Sequence, residues 1–370
     1  MKKTLLTVLL ASLFTVSASA QAGNQTEKTI EKSTALSVDS TTADLPMEEA
    51  ELTFAPDVPK PITRKTSARV VVKLEALEKI MEIMDGVQFK YWTFNGATPA
   101  PFIRVREGDT VEVRLSNPVN SKLAHSLDFH AAAAPEGTSL ISNTQPGRTT
   151  TFAFKALNPG LYLYHCGAFP GPATHIGKGM FGLLLVEPKE GLAPADKEFY
   201  IVQNEFYTRG VFGEKGLQVV SMEKAGYELP DYVVFNGHVN SLTGANALKA
   251  KTGEKIRFFV GNAGPNKISS FHLMGKTFDT VYVEGGDLKN HHVQTTLIPA
   301  GGATMLEFQI NVPGQYTFLD HSINRTEKGA KGMLMVEGKE NPEIFSGKIK
   351  DEVYDKRNPE ADVDVNFHMK

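Results

Sequence analysis

The sequence predicts an all-β protein made of two tandem β-sandwich domains with Greek-key connections. Segments of β-branched and aromatic residues, such as 69–73, 110–115 and 151–154, are short and are separated by turn clusters. The 32 Gly and 20 Pro among 370 residues favour turns over long helices. A set of motifs also occurs twice in the same order along the chain, which predicts two copies of one domain.

The N-terminal residues 1–20 have the pattern of a secretory signal peptide. Lys2 and Lys3 form its positive start, residues 5–16 its apolar core, and residues 18–20 (Ala-Ser-Ala) a small-residue cleavage site. The apolar core is too short to span a membrane comfortably, so we predict export to a periplasm and no membrane span. Residues 21–48 are rich in Thr, Ser, Glu and Ala, and we expect a disordered linker there.

The first predicted domain covers residues 49–190. Within it, the apolar run at 183–186 indicates a strand buried on both faces. Residues 74–84 are ambiguous because their apolar pattern also fits a helix.

The second predicted domain covers residues 196–340 and repeats motifs of the first. The Phe-Asn-Gly sequence at 94–96 recurs at 235–237, and the apolar segment at 182–187 recurs at 332–337. Residues 341–370 form a charged, turn-rich tail that we expect either to wrap a neighbouring subunit or to be mobile. The net charge of −3 becomes more negative once the leader is removed, which argues against nucleic acid as a partner.

Cys166 is the only cysteine in the chain, so it cannot form an intramolecular disulfide. It begins a Cys-x8-His-x4-Met pattern with His175 and Met180, and His125 lies upstream. A thiolate, two imidazoles and a weak axial thioether are the ligands of a blue-copper electron-transfer site. The alternative is a cysteine that is simply buried beside unrelated histidines.

His165 precedes Cys166, and neighbouring residues on a strand point to opposite faces. If Cys166 faces one metal, His165 is free to bind a second one together with His130, which follows Asp128 by two residues. One peptide unit would then join the two sites. In the second repeat, Asp320 stands at the place of Cys166, so that copy has lost the soft-metal site.

Residues 52–338 resemble the copper-containing nitrite reductases, homotrimeric enzymes of two cupredoxin-like domains that reduce nitrite to nitric oxide in denitrification. Five motifs carry the resemblance: His-Ser-Leu-Asp-Phe-His-Ala at 125–131, Tyr-His-Cys at 164–166, His-Ile-Gly-Lys-Gly-Met at 175–180, His-Leu-Met-Gly at 272–275 and Asp-His-Ser at 320–322.

The resemblance implies two coppers per chain. The type 1 copper would be bound by His125, Cys166, His175 and Met180. The type 2 copper would be bound by His130, His165 and, from the adjacent subunit of the trimer, His321.

The same resemblance implies that Asp128 and His272 handle protons beside the substrate nitrite, and that Thr295 supports His272 by hydrogen bonding. For Asp128, the alternative is a carboxylate that only orients a ligand histidine. Two positions depart from the family pattern. Met274 replaces an expected branched aliphatic residue beside the substrate, and Gly167 replaces the usual alanine after the cysteine.

Two other functions are weaker. A laccase-like multicopper oxidase needs eight histidines, mostly in His-x-His pairs, and this chain has no such pair. A single-copper electron carrier would leave His130, His165 and His321 without a role. The remaining histidines, at 238, 291, 292 and 368, are predicted to be surface or hydrogen-bonded non-ligands.

The single cysteine also bears on whether the chain carries its own haem as a source of electrons. A chain with one cysteine has no Cys-x-x-Cys-His haem motif. We therefore expect an external electron donor, either a small cupredoxin or a c-type cytochrome.

Overall fold

The computed structural model describes residues 45–135, 137–352 and 354, and strands form both halves of that chain. The predicted signal peptide and most of the predicted linker lie outside the described residues. The first half contains nine strands and a short helix α1, with these bounds: β1 Met47–Glu49, β2 Arg69–Met84, β3 Val87–Phe94, β4 Ile103–Arg106, β5 Thr110–Asn117, β6 Asp128–Phe129, β7 Arg148–Lys155, β8 Gly160–His165, α1 Pro172–Ile176 and β9 Phe181–Glu187.

The second half contains twelve described strands, one short helix α2 and three 3₁₀ turns. Their bounds are β10 Lys197–Phe206, β11 Gly216–Gln218, α2 Met222–Gly226, β12 Tyr232–Phe235, β13 Leu248–Lys251, β14 Lys255–Gly264, β15 Ser269–Leu273, β16 Phe278–Tyr282, β17 Lys289–Val293, β18 Thr295–Ile298, β19 Gly302–Gln309, β20 Gly314–Asp320 and β21 Lys331–Glu337, with the turns at Gly244–Asn246, Val283–Gly285 and Ile323–Arg325. None of the described helices is long and apolar enough to cross a membrane.

The two halves repeat one topology, as the internal repeat predicts. One sandwich has sheets ordered β11-β3-β2-β5-β7 and β4-β9-β8-β6; the other has β12-β10-β14-β19-β16-β17 and β13-β21-β20-β15-β18. The parallel pairs β2/β5 and β4/β9 correspond to β10/β14 and β13/β21. Strand β11 comes from the second half of the chain but pairs with β3, so the two sandwiches share a sheet.

Residues 74–84, which also fitted a helix, belong to the long strand β2. Residues 69–75 of this strand pair in parallel with β5, and residues 76–84 pair antiparallel with β3, so hydrogen bonds to neighbouring strands continue along its length. Strand β1 pairs with the start of β2, with Met47 opposite Arg69. Residues 47 and 48, which were expected to belong to a disordered linker, therefore lie in a strand, because the edge of β2 offers them backbone partners.

Strands β8 and β9 are buried on both faces because one face packs in the first sandwich and the other against the second sandwich. Leu184 and Val186 lie in the core of the first sandwich. Leu183 and Leu185 belong to a separate cluster with Tyr200 and other side chains of the second sandwich. This two-sided burial explains the continuous apolar run at 183–186. It also fixes the end of β8 and the start of β9, next to Cys166 and Met180.

A buried ionic network joins the two sandwiches. Arg104 on β4 is 1% exposed, pairs with Glu187, and lies 2.7 Å from Glu198 of the second sandwich. Glu198 also accepts a hydrogen bond of 2.6 Å from Arg257, whose side chain is 2% exposed. Glu198 therefore links one arginine from each sandwich, and every charge in the network has a partner of opposite sign.

The C-terminal tail is described as far as residue 352, and at 354. Phe345 donates its backbone N–H to the carbonyl of Asn341 at 3.0 Å, and the residues that follow have no regular secondary structure up to residue 352. Its predicted contact with a neighbouring subunit stays a prediction.

We predict that Arg104→Met will destabilise the protein by about 3–5 kcal/mol, because it leaves the buried Glu187 carboxylate unpaired. The free energy of unfolding of the apoprotein, from chemical denaturation, measures this effect. The matched control is Lys73→Met, which breaks an ion pair with Glu49 whose side chains are 53% and 64% exposed. That change should cost less than about 1 kcal/mol. Equal costs for the two variants would show that the buried network does not hold the sandwiches together.

Candidate metal centres

Four buried residues of the first sandwich lie around the end of β8. His125 lies before β6, Cys166 follows β8, His175 lies in α1, and Met180 precedes β9. All four are at most 1% exposed. The ligand atoms of His125, Cys166 and His175 lie within 4.8 Å of one another, with His125 Nδ1 at 3.8 Å from Cys166 Sγ. The structure thus brings together three residues of the first predicted set, and a backbone hydrogen bond joins Cys166 to the fourth, Met180.

Backbone hydrogen bonds hold the loop that carries three of these residues. The N–H of Cys166 donates to the carbonyl of Met180 at 3.1 Å, and the N–H of Met180 donates to that of His175 at 3.1 Å. From outside the loop, the N–H of Ser126 donates to Cys166 Sγ at 3.3 Å. Backbone hydrogen bonds therefore close this loop and fix the spacing of Cys166, His175 and Met180 along it.

The protonation of these groups suits a soft cation. Burial lowers the pKa of His175 to about 4. Burial, followed by the neighbouring His175, lowers the pKa of His125 to about 4, so both imidazoles are neutral near pH 7. His175 Nε2 lies 3.2 Å from the carbonyl of Phe169 and donates its hydrogen to it, so the lone pair of Nδ1 is free to bind a metal. That Nδ1 atom is buried and has no hydrogen-bond partner among the described residues.

The thiol of Cys166 is the third group of this cluster. Burial raises the pKa of Cys166 to about 11, so the thiol stays protonated at neutral pH unless a cation lies beside it. A metal ion deprotonates a coordinating thiol outright. An orphaned imidazole nitrogen, a second imidazole and a buried thiol therefore fit the thiolate, two-nitrogen ligand set of a type 1 copper site.

A second cluster lies on the opposite side of the same strand. Asp128 on β6 pairs in register with His165, the last residue of β8. His165 Nε2 lies 3.1 Å from His130 Nε2 and 3.8 Å from a carboxylate oxygen of Asp128. Two nitrogens bound at about 2.0 Å to one tetrahedral metal are about 3.3 Å apart, so this spacing fits two ligands of one ion.

The proton of His165 is placed by the chain itself. Its Nδ1 lies 3.2 Å from the carbonyl of Cys166 and donates to it, which leaves Nε2 unprotonated and facing His130. Burial, followed by the neighbouring His130, lowers the pKa of His165. Asp128 is close to this pair and is confined by the turn at Gly137. A Cβ atom on Gly137 would lie 1.8 Å from an Asp128 oxygen, and the φ of Gly137 is +58°.

Two further histidines lie together on the second sandwich. The rings of His272, on β15, and His321, after β20, have centroids 5.1 Å apart. His272 Nδ1 lies 2.7 Å from the carbonyl of Gln294 and 3.1 Å from the Thr295 hydroxyl. Met274, which follows β15, is 53% exposed. Within one chain, the described residues grouped around His165 are Asp128 and His130, and the group includes neither His272 nor His321.

The second sandwich has a carboxylate where the first has its thiol. Asp320 is buried and accepts backbone N–H donors from Ser270 and Ser322 at 3.1 and 3.0 Å. Its other oxygen accepts hydrogen bonds from Gln203 and Arg325 at 3.0 and 2.7 Å. The carboxylate is therefore neutralised and fully hydrogen-bonded, which agrees with the expectation that this copy has lost the soft-metal site.

One grouping was not foreseen from the sequence. His238 lies with Glu82 and Asp85, so that a ligand atom from each lies within 4.8 Å of the others. Glu82 and Asp85 are exposed, and one Glu82 oxygen already accepts the N–H of Gly86 at 3.2 Å. Because the three residues come from different sandwiches, the sequence has no local pattern that predicts their meeting.

Comparison with known proteins identifies relatives over most of the chain. Two multicopper oxidase family models match residues 76–191 and 215–339. A copper-containing nitrite reductase of Neisseria gonorrhoeae is 52% identical over 366 residues, covering 96% of this chain and 93% of the relative. Another, of Neisseria meningitidis serogroup B, is 56% identical over 312 residues, covering 84% and 80%. The solved copper nitrite reductase of Nitrosomonas europaea has a TM-score of 0.66 at 36% identity, covering 74% of this chain and 96% of that one.

Proposed function

The chain belongs to the copper-containing nitrite reductases, and from this premise we propose how its residues divide the reduction of nitrite. The reaction consumes nitrite, one electron and two protons, and it yields nitric oxide and one water. Copper is the cofactor, and when bound it accepts and passes on the electron and polarises the nitrite anion. The laccase-like alternative is less supported, because relatives at 52% and 56% identity are nitrite reductases.

We assign His125, Cys166, His175 and Met180 to the type 1 copper, which receives the electron. Supporting this assignment are the orphaned Nδ1 of His175 and the buried thiol beside His125 Nδ1. A dry site with fixed imidazoles needs little rearrangement when its charge changes by one, which suits electron transfer. The peptide between Cys166 and His165 then provides a short covalent route from this cluster to the second one.

We assign His130 and His165 to the type 2 copper, with His321 of a neighbouring subunit as the third ligand. His130 and His321 are both exposed in the single chain, so each is available to a neighbour. Three imidazoles leave an open position for the substrate, as in other three-histidine catalytic sites. The second cluster is also the observation that argues against a carrier with one copper.

The surface around His272 and His321 supports a subunit contact. Four large apolar side chains of the second sandwich are more than half exposed near these histidines in sequence and sheet order: Ile268 52%, Met274 53%, Leu297 66% and Ile323 55%. Exposed apolar groups of this kind mark interaction surfaces. We propose a homotrimer in which the second sandwich of each chain meets the first of the next, a head-to-tail contact that closes into a ring.

We propose that Asp128 and His272 deliver the two protons. Asp128 lies 3.8 Å from His165 Nε2, so its carboxyl group is beside the atoms that would hold the metal. The carbonyl of Gln294 and the hydroxyl of Thr295 fix the orientation of the His272 ring, which then presents Nε2 to the site. A carboxylate and an imidazole on opposite sides of a bound anion can act as a coupled acid pair.

We also propose that electrons come from an external small cupredoxin or c-type cytochrome, and that the protein works in the periplasm. The first proposal is supported by the single cysteine of the chain, which excludes a Cys-x-x-Cys-His haem motif. The second proposal is supported by the signal-peptide pattern of residues 1–20, which lie outside the described residues.

Replacing Cys166 tests the type 1 assignment. Cys166→Ala should lose the strong visible absorption and bind one copper per chain instead of two, because only Cys166 supplies a thiolate. Absorption spectra and metal analysis measure both effects. The control is Met180→Leu, which should keep the thiolate absorption because the axial thioether is a weak ligand. Visible absorption that survives in Cys166→Ala would refute the type 1 site.

Replacing Asp128 tests the proton pathway. Asp128→Asn should keep both coppers but lower turnover by roughly 10²–10⁴-fold, the usual loss for a missing general acid. Its activity should also depend less on pH in the mildly acidic range. Nitric oxide formation from nitrite gives the rate, and Asp57→Asn, an exposed carboxylate of the same sandwich, is the control. Unchanged turnover would reduce Asp128 to a residue that orients His165.

Mixing inactive chains tests the shared site. His130→Ala and His321→Ala chains should each form inactive trimers with an intact type 1 copper. Refolded together in equal amounts, they should recover about a quarter of the activity, because one interface in four pairs an intact His130 with an intact His321. The control mixes His130→Ala with His165→Ala, which remove ligands from the same side and should recover nothing. Mixed trimers of the first kind without activity would place the whole site in one chain.

A further inference from the structure

Lys178 is a half-buried lysine that the proposed reaction does not use. It lies in the loop between His175 and Met180, with its ammonium 4.9 Å from the ring centre of Phe89 and 4.8 Å from that of Trp92. Within the described part of the chain, no carboxylate forms an ion pair with it, and the nearby Glu78 is paired with Lys90 instead. Two aromatic faces are therefore its close partners, an arrangement that attracts a cation through the ring quadrupoles.

Trp92 connects this ammonium to the first metal cluster. It is the only tryptophan in the chain, and its ring centre lies 4.7 Å from that of His175 and 5.8 Å from that of His125. Its backbone N–H donates to the carbonyl of Lys178 at 2.9 Å, which ties strand β3 to the ligand loop. One indole thus contacts the ammonium and both imidazoles, so Lys178 is one ring away from the copper ligands.

A cation at this place has a definite electrostatic effect. A copper(II) ion with one thiolate and two neutral imidazoles carries one net positive charge, and a copper(I) ion with the same ligands carries none. A nearby ammonium therefore disfavours the oxidised state more than the reduced state, and low dielectric surroundings strengthen the effect. The environment of the ligands is a known means by which proteins set the redox potential of a metal.

We propose that Lys178 and Trp92 form a tuning pair for the type 1 copper: the ammonium raises its reduction potential, and the indole holds the ammonium and both imidazoles in place. This inference rests on the proposed assignment of His125, Cys166, His175 and Met180. Neither residue touches substrate, so both act as positioning residues. Their effect is to favour transfer of one electron from the external donor to the copper, which is reduced from copper(II) to copper(I).

The reduction potential of the type 1 copper, followed through its visible absorption at pH 6, tests the charge. Lys178→Gln and Lys178→Met remove the cation, and the second variant also keeps an apolar side chain between the two rings. At a fixed applied potential, both should lower the ratio of copper(I) to copper(II) by roughly tenfold, the effect of a charge roughly 10 Å away at a dielectric constant of about 20. Lys178→Arg should restore the potential of the unsubstituted protein.

The matched control is Lys155→Gln, which makes the same charge change at an exposed lysine of β7 and should leave the potential unchanged. A potential that is the same in Lys178→Gln, Lys178→Met and the unsubstituted protein would overturn the inference. A second comparison tests the indole. In the Trp92→Leu background, Lys178→Gln should shift the potential less than it does alone, and an equal shift would show that Trp92 does not hold the ammonium.

Fluorescence gives a readout that is independent of catalysis. Because Trp92 is the only tryptophan, its emission reports on the cluster alone. Copper added to the apoprotein should quench this emission strongly, whereas the same addition to Cys166→Ala should quench it much less. Emission that is insensitive to copper would overturn the contact between Trp92 and the ligands.

The visible absorption and the reduction potential together distinguish an error in the tuning pair from an error in the type 1 assignment. If the unsubstituted protein shows the thiolate absorption but the Lys178 variants keep its potential, the tuning pair is wrong and the type 1 assignment stands. If the copper-loaded, unsubstituted protein lacks that absorption, the assignment fails and the tuning pair fails with it.

Discussion

The alternation of side chains along β8 is the constraint on which both metal clusters depend. Tyr164 and Cys166 belong to the core of the first sandwich, whereas Leu161 and Leu163 pack against the second. His165 follows this second direction, so the two adjacent residues at the end of the strand point to different clusters. A shift of β8 by one residue would exchange Cys166 and His165. The same shift would move every apolar side chain of the strand to the wrong face, so burial on both faces prevents it. The packing of β8 into two hydrophobic cores therefore holds the peptide between Cys166 and His165 in place.

The two clusters differ in their exposure, and this difference matches their chemistry. His125 and His175 are buried, which lowers their pKa values to about 4 and keeps them neutral at pH 7. His130 and His321 are exposed in the single chain, which suits the proposed site that admits an anion and is completed across a subunit contact. The first cluster is therefore enclosed in the sandwich, whereas His130 of the second cluster is open to solvent. Away from both clusters, the ionic network of Arg104, Glu198 and Arg257 joins the two sandwiches of one chain to each other.

The second sandwich keeps the fold of the first but has a carboxylate where the first has its thiol. Its carboxylate at Asp320 is satisfied by two backbone N–H groups, Gln203 and Arg325, so the place of the thiol is filled by a neutralised hydrogen-bond network. In this repeat Leu319 stands at the place of His165, and the histidine, His321, comes one residue after the place of the cysteine instead of one residue before it. The N–H of His321 donates to the carbonyl of Ser270 at 2.7 Å, which holds the backbone of this histidine beside β15. The copy without a soft-metal site therefore still holds an exposed histidine in a fixed backbone position, which suits the proposed contact with a neighbouring subunit.

The sequence by itself determined the fold class, the tandem repeat and the first cluster, because spacing in a short loop such as Cys-x8-His-x4-Met leaves few ways to arrange three ligands. It also indicated the two-sided burial of residues 183–186, since a continuous apolar run requires partners on both faces. Only the tertiary structure decided the conformation of residues 74–84, whose pattern fitted two elements. Residues 76–84 pair with β3, and residues 74 and 75 pair with β5. Trp92 and Lys178 meet the ligands, and His238 meets Glu82 and Asp85, through contacts between distant segments. Such contacts depend on how whole strands pack, and this packing has no local signature in the chain.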